Sequence, residues 1–224
     1  MADKVEFSSN GTSGTGEIEL PAGEGRAPAL ILVHEWWGLN DHVRSLVSRF
    51  AKEGFLTLAI DLYDGKSTKD PAEAGKLMGA LDWGRAVGIA TAAVEYLKAH
   101  PRSNGNVGCT GFCMGGAATL VIAANVAGIK AAVPFYGMPD ASKVDYEKLS
   151  APILMHVAKR DEWVKPELAE ALRNKLTAAG KSMRLEQYEA DHAFVNDTRP
   201  EVYNKENAEL ALSRSYAFLK EKLA

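Results

Sequence analysis

The stretch Val107-Gly-Cys-Thr-Gly-Phe-Cys-Met-Gly-Gly116 decides the fold. Residues 107–112 form a short apolar run, the kind that makes a strand covered on both faces. Gly111-Phe112-Cys113-Met114-Gly115-Gly116 then turns that strand into a helix over 115–125. This is the glycine–x–nucleophile–x–glycine pattern, with cysteine where serine is commoner. A strand that turns straight into a helix strains the corner residue, and side chains two positions to either side would collide. Glycine at 111 and 115 lets the turn close and leaves Cys113 exposed at the carboxyl end of the sheet. The helix N-terminus behind it favours negative charge, a thiolate included. The plain alternative is a structural glycine-rich turn around an inert cysteine.

Outward from this elbow, short apolar runs alternate with helical patterns. Residues 29–34, 55–60, 129–135, 152–157 and 184–188 read as further strands, the last as an edge. Val43, Leu46, Val47, Phe50 and Ala51 form one apolar helical stripe, with Asp41 placed to cap it and Gly54 to end it. Residues 72–100 read as one long or two broken helices stopped by Pro101, and 166–179 and 202–223 as two more. Asn10-Gly11 between two alternating segments marks an N-terminal hairpin. Strand–helix alternation implies a mostly parallel central sheet with helices on both faces. No linker, repeat or low-complexity segment interrupts it, so 1–224 reads as a single α/β domain.

Composition narrows the function. Of 224 residues, 46% are hydrophobic and 25% charged, which excludes a disordered chain. Lys+Arg 26 against Asp+Glu 29 gives a net charge of −3. Without a basic excess, neither nucleic acid nor an anionic membrane surface is the expected partner. The longest apolar run, 29–33, is too short to span a bilayer, and the N-terminus lacks a signal-peptide core. The expectation is a cytoplasmic monomer. Two cysteines make no disulfide framework. Cys109 lies inside the strand and reads as core. No bond to Cys113 is expected, since four steps span roughly 13 Å if extended, against a Cα limit of about 7 Å. No H-E-x-x-H spacing, phosphate loop or dinucleotide fingerprint occurs, so no metal or cofactor is expected.

A thiol is mostly protonated at neutral pH and needs a base. His192, in Tyr188-Glu-Ala-Asp-His-Ala-Phe194, follows the last strand and so lies at the elbow's end of the sheet. His156 reads as core, His100 as surface, His42 as a helix opener, and His34 as a support for the loop after the first long strand. Asp161, in Ala158-Lys-Arg-Asp-Glu-Trp-Val164, is placed to orient His192, or else simply caps a turn. Asp191 points elsewhere in most backbones, and Glu162 reads as a loop charge. The order Cys113, Asp161, His192 is that of the α/β-hydrolases. Backbone N–H groups of Met114 and Trp36 are the candidate oxyanion donors. The tryptophan side chains read as lid or core aromatics.

Three segments together resemble the dienelactone hydrolase family: His34-Glu-Trp-Trp-Gly-Leu-Asn40, the run from Arg102 through Gly116, and Tyr188–Phe194. The resemblance covers about residue 30 to the C-terminus. It implies an α/β-hydrolase fold, a Cys113–His192–Asp161 triad and hydrolysis of small lactones or esters through an acyl-cysteine. It also implies that Glu35 lies near the thiol and helps ionise it when substrate arrives. Without it, Glu35 reads as a loop charge or a salt-bridge partner. Two arginines that hold a substrate carboxylate in the family fall here at Pro71 and Asn196. Arg85 and Arg199 are nearby substitutes, or else surface charges. The implied chemistry is therefore ester or lactone hydrolysis rather than dienelactone turnover in particular. A protein of another class, a redox sensor or ligand-binding module, would also need an exposed low-pKa cysteine. It would not need the orienting acid.

Overall fold

The computed structural model describes residues 2–224. Eight strands make one sheet: β1 (Asp3–Ser9), β2 (Thr12–Glu19), β3 (Ala27–Val33), β4 (Leu56–Ile60), β5 (Ser103–Phe112), β6 (Ile129–Phe135), β7 (Ile153–Ala158) and β8 (Met183–Tyr188). Their order is β1-β2-β4-β3-β5-β6-β7-β8, with β8 at one edge. Strands β3 to β8 pair in parallel, and the N-terminal hairpin adds β2 antiparallel to β4. Asn10 and Gly11 both take positive φ (51° and 79°), the two-residue turn that matches strand twist.

The continuous apolar runs follow from burial on both faces. In β3, Ala29, Ile31 and Val33 join one core and Leu30 and Leu32 the other, all fully buried. The first core is closed by α3 (Trp83–Ala99), α4 (Met114–Asn125) and α5 (Pro166–Ala178). The second is closed by α1 (Asp41–Lys52) and α6 (Lys205–Leu223). The 72–100 segment is two helices: α2 (Pro71–Gly79) opens with proline in its first turn, and Asp82 caps α3. The α1 cap is Asn40 rather than Asp41: the Asn40 side chain accepts from Val43 N, and Asp41 is the first helical residue. Only a residue with extended backbone can turn its oxygen onto the first-turn N–H groups. Asn40 has that backbone (φ −119°). Helix α6 starts three residues later than the apolar pattern suggests, at the Asn204 cap.

The corner at the end of β5 is as tight as its glycines require. Cys113 has φ 57° and ψ −118°, the positive-φ region that L side chains rarely adopt. A Cβ at Gly111 would run into the Gly115 carbonyl, and one at Gly115 into the Val33 and His34 carbonyls. Gly137, after β6, is a third such glycine, since a Cβ there would meet the Cys113 carbonyl. Backbone cannot yield as a flexible side chain can. Gly115→Ala is therefore expected to cost about 3 kcal/mol or more. Gly75→Ala, at an open site in α2, should stabilise by about 0.5–1 kcal/mol. Urea midpoints of the two variants check the contrast.

Candidate active site

Parallel pairing puts the carboxyl ends of β3, β5, β6, β7 and β8 along one edge. The segments leaving those ends carry Glu35, Cys113, Tyr136, Asp161 and His192 in turn. Glu35, Cys113, Tyr136 and His192 line one cavity of ≈ 500 Å³, together with Trp36, Met114 and Arg199. Asp161 lies behind His192, buried.

His192 Nδ1 is 2.8 Å from Asp161 Oδ2. The other carboxylate oxygen, Oδ1, accepts Trp163 N at 2.8 Å and Val164 N at 2.9 Å. Asp161 thus both caps its turn and holds the imidazole, so the two readings of this residue are compatible. Burial disfavours charge on His192, but the Asp161 hydrogen bond and the Cys113 side chain outweigh it and raise the imidazole to about 10. Asp191 faces away and pairs with Arg160 at 3.0 Å.

The two cysteines are free and differ in setting. Cys109 is fully buried, and burial pushes its thiol up to about 12. Cys113 is half-buried and opens onto the cavity. Its backbone N–H donates to Phe135 O at 3.0 Å, and its carbonyl accepts Ala117 N at 3.1 Å, which ties the corner to β6 and α4. Met114 N–H is in the first turn of α4, where backbone donors lack intrahelical acceptors.

Glu35 is 2% exposed, and arginine is not what holds it. Asn196 Nδ2 donates to Glu35 Oε2 at 2.7 Å, and Tyr136 OH donates to Oε1 at a longer 3.4 Å. Asn196 Oδ1 accepts Thr198 N at 3.1 Å and Thr198 Oγ1 at 2.7 Å, so its amide nitrogen is forced toward Glu35. Burial, then the Glu35 charge, keeps Tyr136 a neutral phenol. Neither Asn196 nor Tyr136 was assigned this role from sequence. Tyr136 could have been flagged by its place directly after β6, at the edge where Glu35, Cys113, Asp161 and His192 also emerge.

The two substitute arginines part company. Arg85 does not line this cavity; it is half-exposed and pairs with Asp64 at 2.5 Å. Arg199 does line it, lying over the Trp37 ring at 5.8 Å while its Nε donates to Glu201 at 2.8 Å. His34 supports its loop: Nε2 accepts Leu62 N, so Nδ1 carries the proton donated to Glu35 O at 2.6 Å. His156 is a core residue between Tyr188 OH and Ser215 Oγ, and burial lowers it to about 3. His42 opens α1, bonded to Asp197, and His100 follows α3 and accepts Arg102 N. Among the described residues, no cluster of three or more His, Cys, Asp or Glu could hold a metal ion, and no helix is long and apolar enough to cross a membrane.

The sequence profile of the dienelactone hydrolase family matches residues 15–223. The chain belongs to the dienelactone hydrolase family. It is 37% identical to protein usf of Aquifex pyrophilus, over 100% of both chains. It is 30% identical to the carboxymethylenebutenolidase of Pseudomonas putida, over 86% of this chain and 85% of that one. A Klebsiella pneumoniae structure named "Putative Dienelactone Hydrolase" superposes with TM-score 0.86 and 27% identity, covering 98% of this chain and 99% of that one. This dienelactone hydrolase relative is thus a hydrolase with the α/β-hydrolase fold.

Proposed function

We propose that the protein hydrolyses carboxylic esters and lactones through a Cys113–His192–Asp161 triad and an acyl-cysteine intermediate. The observation that carries this reading is the pairing of His192 with Asp161 at 2.8 Å, on the wall of the cavity into which Cys113 opens. The Asp161 hydrogen bond and the Cys113 side chain favour the imidazolium that forms when His192 takes the thiol proton. That suits the group that takes the Cys113 proton and later returns one. The Cys113 sulfur attacks the ester carbonyl, and the oxyanion is received by the N–H groups of Met114 and Trp36. Collapse breaks the bond to the alcohol oxygen, which takes the His192 proton and leaves a thioester. Neutral His192 then removes a proton from water, and the hydroxide attacks the thioester. Collapse expels the sulfur, releases the acid and restores the starting state. Asp161 fixes the imidazole's orientation and tautomer throughout.

Trapping tests this directly. Wild-type protein mixed with an activated ester and quenched in acid should carry the acyl mass on the peptide containing Cys113, removable by hydroxylamine. Turnover with no adduct on that peptide, or an adduct on Cys109, would refute the assignment.

Glu35 has a gating role in this scheme. Its charge opposes a thiolate on the same cavity wall before substrate arrives, and its carboxylate can accept a proton afterwards. Arg199, though on the cavity wall, is already engaged by Glu201 and Trp37. Glu35→Gln removes the charge and keeps both an acceptor for Asn196 and the shape. Iodoacetamide should then alkylate Cys113 about 3- to 10-fold faster at neutral pH, while ester turnover slows. Unchanged alkylation together with normal turnover would leave Glu35 a structural group.

A further inference from the structure

We propose that this cavity selects esters bearing an aromatic group over anionic ones, with the protein's tryptophans as the recognition surface. The inference rests on the ester-hydrolase reading above and deepens it.

The chain has four tryptophans, and Trp36, Trp37, Trp83 and Trp163 all line this cavity. They arrive from three separate places: the loop after β3, the first residue of α3 and the loop after β7. None of the four is buried, and Trp163 is 72% exposed. Tryptophan is on average a well-buried residue. Here the buried aromatic residues are phenylalanines and tyrosines instead. Indole faces left against water form an apolar surface that a ligand ring would cover. The rings are also set close to the chemistry. Trp163 lies 6.5 Å from the His192 ring and 6.4 Å from Trp36, which meets Trp37 edge-on at 4.8 Å. A volume of ≈ 500 Å³ suits a ligand larger than a single small lactone ring.

Charge on the wall argues against an anionic ligand. The carboxylates on the wall are Glu35 and Asp140, and the cationic groups are Arg199 and, when protonated, His192. Each has a partner already: Asn196 for Glu35, Ser142 N for Asp140, Glu201 for Arg199 and Asp161 for His192. A substrate carboxylate would therefore find both cationic groups already paired, on a wall that also carries Glu35 and Asp140.

The test uses the full chain and follows indole emission. Cys113→Ala is titrated with benzyl acetate, ethyl acetate, acetylcholine and anionic dienelactone, and wild-type kcat/KM is measured on the same four. Benzyl acetate should bind at least ~10-fold more tightly than ethyl acetate, with a change in emission, and kcat/KM should follow. Trp163→Ala should cut that preference about 3- to 10-fold, and Trp163→Phe should restore most of it. Because Trp163 is exposed and contributes only its backbone N–H to Asp161, these variants should fold. Equal binding of benzyl and ethyl acetate, or tightest binding of acetylcholine or dienelactone, would overturn the inference. If Cys113→Ala still turned over ester, the mechanism would fall while aromatic binding stood. If turnover vanished without aromatic preference, the mechanism would stand and this inference would fall.

Discussion

Cys113→Ala is expected to lower ester kcat/KM by roughly 10³-fold or more while leaving the urea midpoint close to that of wild type. On the proposed mechanism, the large loss follows from removing the atom that would form the covalent bond, with the proposed oxyanion donors and the cavity left to give residual rate. The small stability effect follows from position. Cys113 is half-buried, and its backbone bonds to Phe135 O and from Ala117 N survive the substitution. Alanine at φ 57° is strained as cysteine is, so the corner is no worse than before. Cys109→Ala should behave in the opposite way, with near-normal turnover and a stability loss of about 1 kcal/mol from the buried sulfur it removes. Iodoacetamide should label Cys113 and spare Cys109, which is fully buried and held as thiol. Near-wild-type hydrolysis by Cys113→Ala would end the nucleophile assignment.

Asp161→Asn is expected to slow turnover roughly 10²- to 10⁴-fold with much less change in KM. The asparagine Oδ1 can still accept Trp163 N and Val164 N, so the turn should hold. What is lost is the negative partner of His192. Without it, burial works against the imidazolium with less opposition, and the His192 titration should move down from about 10 toward its ordinary value near 6.5. The sign of the stability effect is fixed by the same shift. A histidine raised from 6.5 unfolded to about 10 folded contributes stability that is fully present below pH 6.5 and lost as pH rises through 10. The stability gap between wild type and Asp161→Asn should therefore narrow between pH 6.5 and 10. Denaturant midpoints at pH 6, 8 and 10, with imidazole titration by NMR, check both statements. An unmoved His192 titration would remove Asp161 from its role.

The elbow, the order Cys113–Asp161–His192 and the alternation of strand and helix were legible in the sequence because each rests on short-range rules. Glycine at 111 and 115 is demanded by the sterics of one corner, and the observed φ of Cys113 is that corner. Residues 29–33 alternate between two cores because successive side chains of a strand point to opposite faces. His192 and Asp161 meet because both leave the carboxyl ends of neighbouring parallel strands, β8 and β7. Tertiary structure alone decided the rest. Arg85 and Arg199 are equivalent as isolated charges, yet only Arg199 is carried to the cavity, since Arg85 is drawn to Asp64 on the loop after β4. Glu35 is held by Asn196, 161 positions away, and by Tyr136, 101 positions away. Four tryptophans scattered from 36 to 163 share one wall. No local propensity encodes such meetings. They depend on the order β4-β3-β5-β6-β7-β8, which sets which loops share an edge and follows from how whole faces of the sheet are covered.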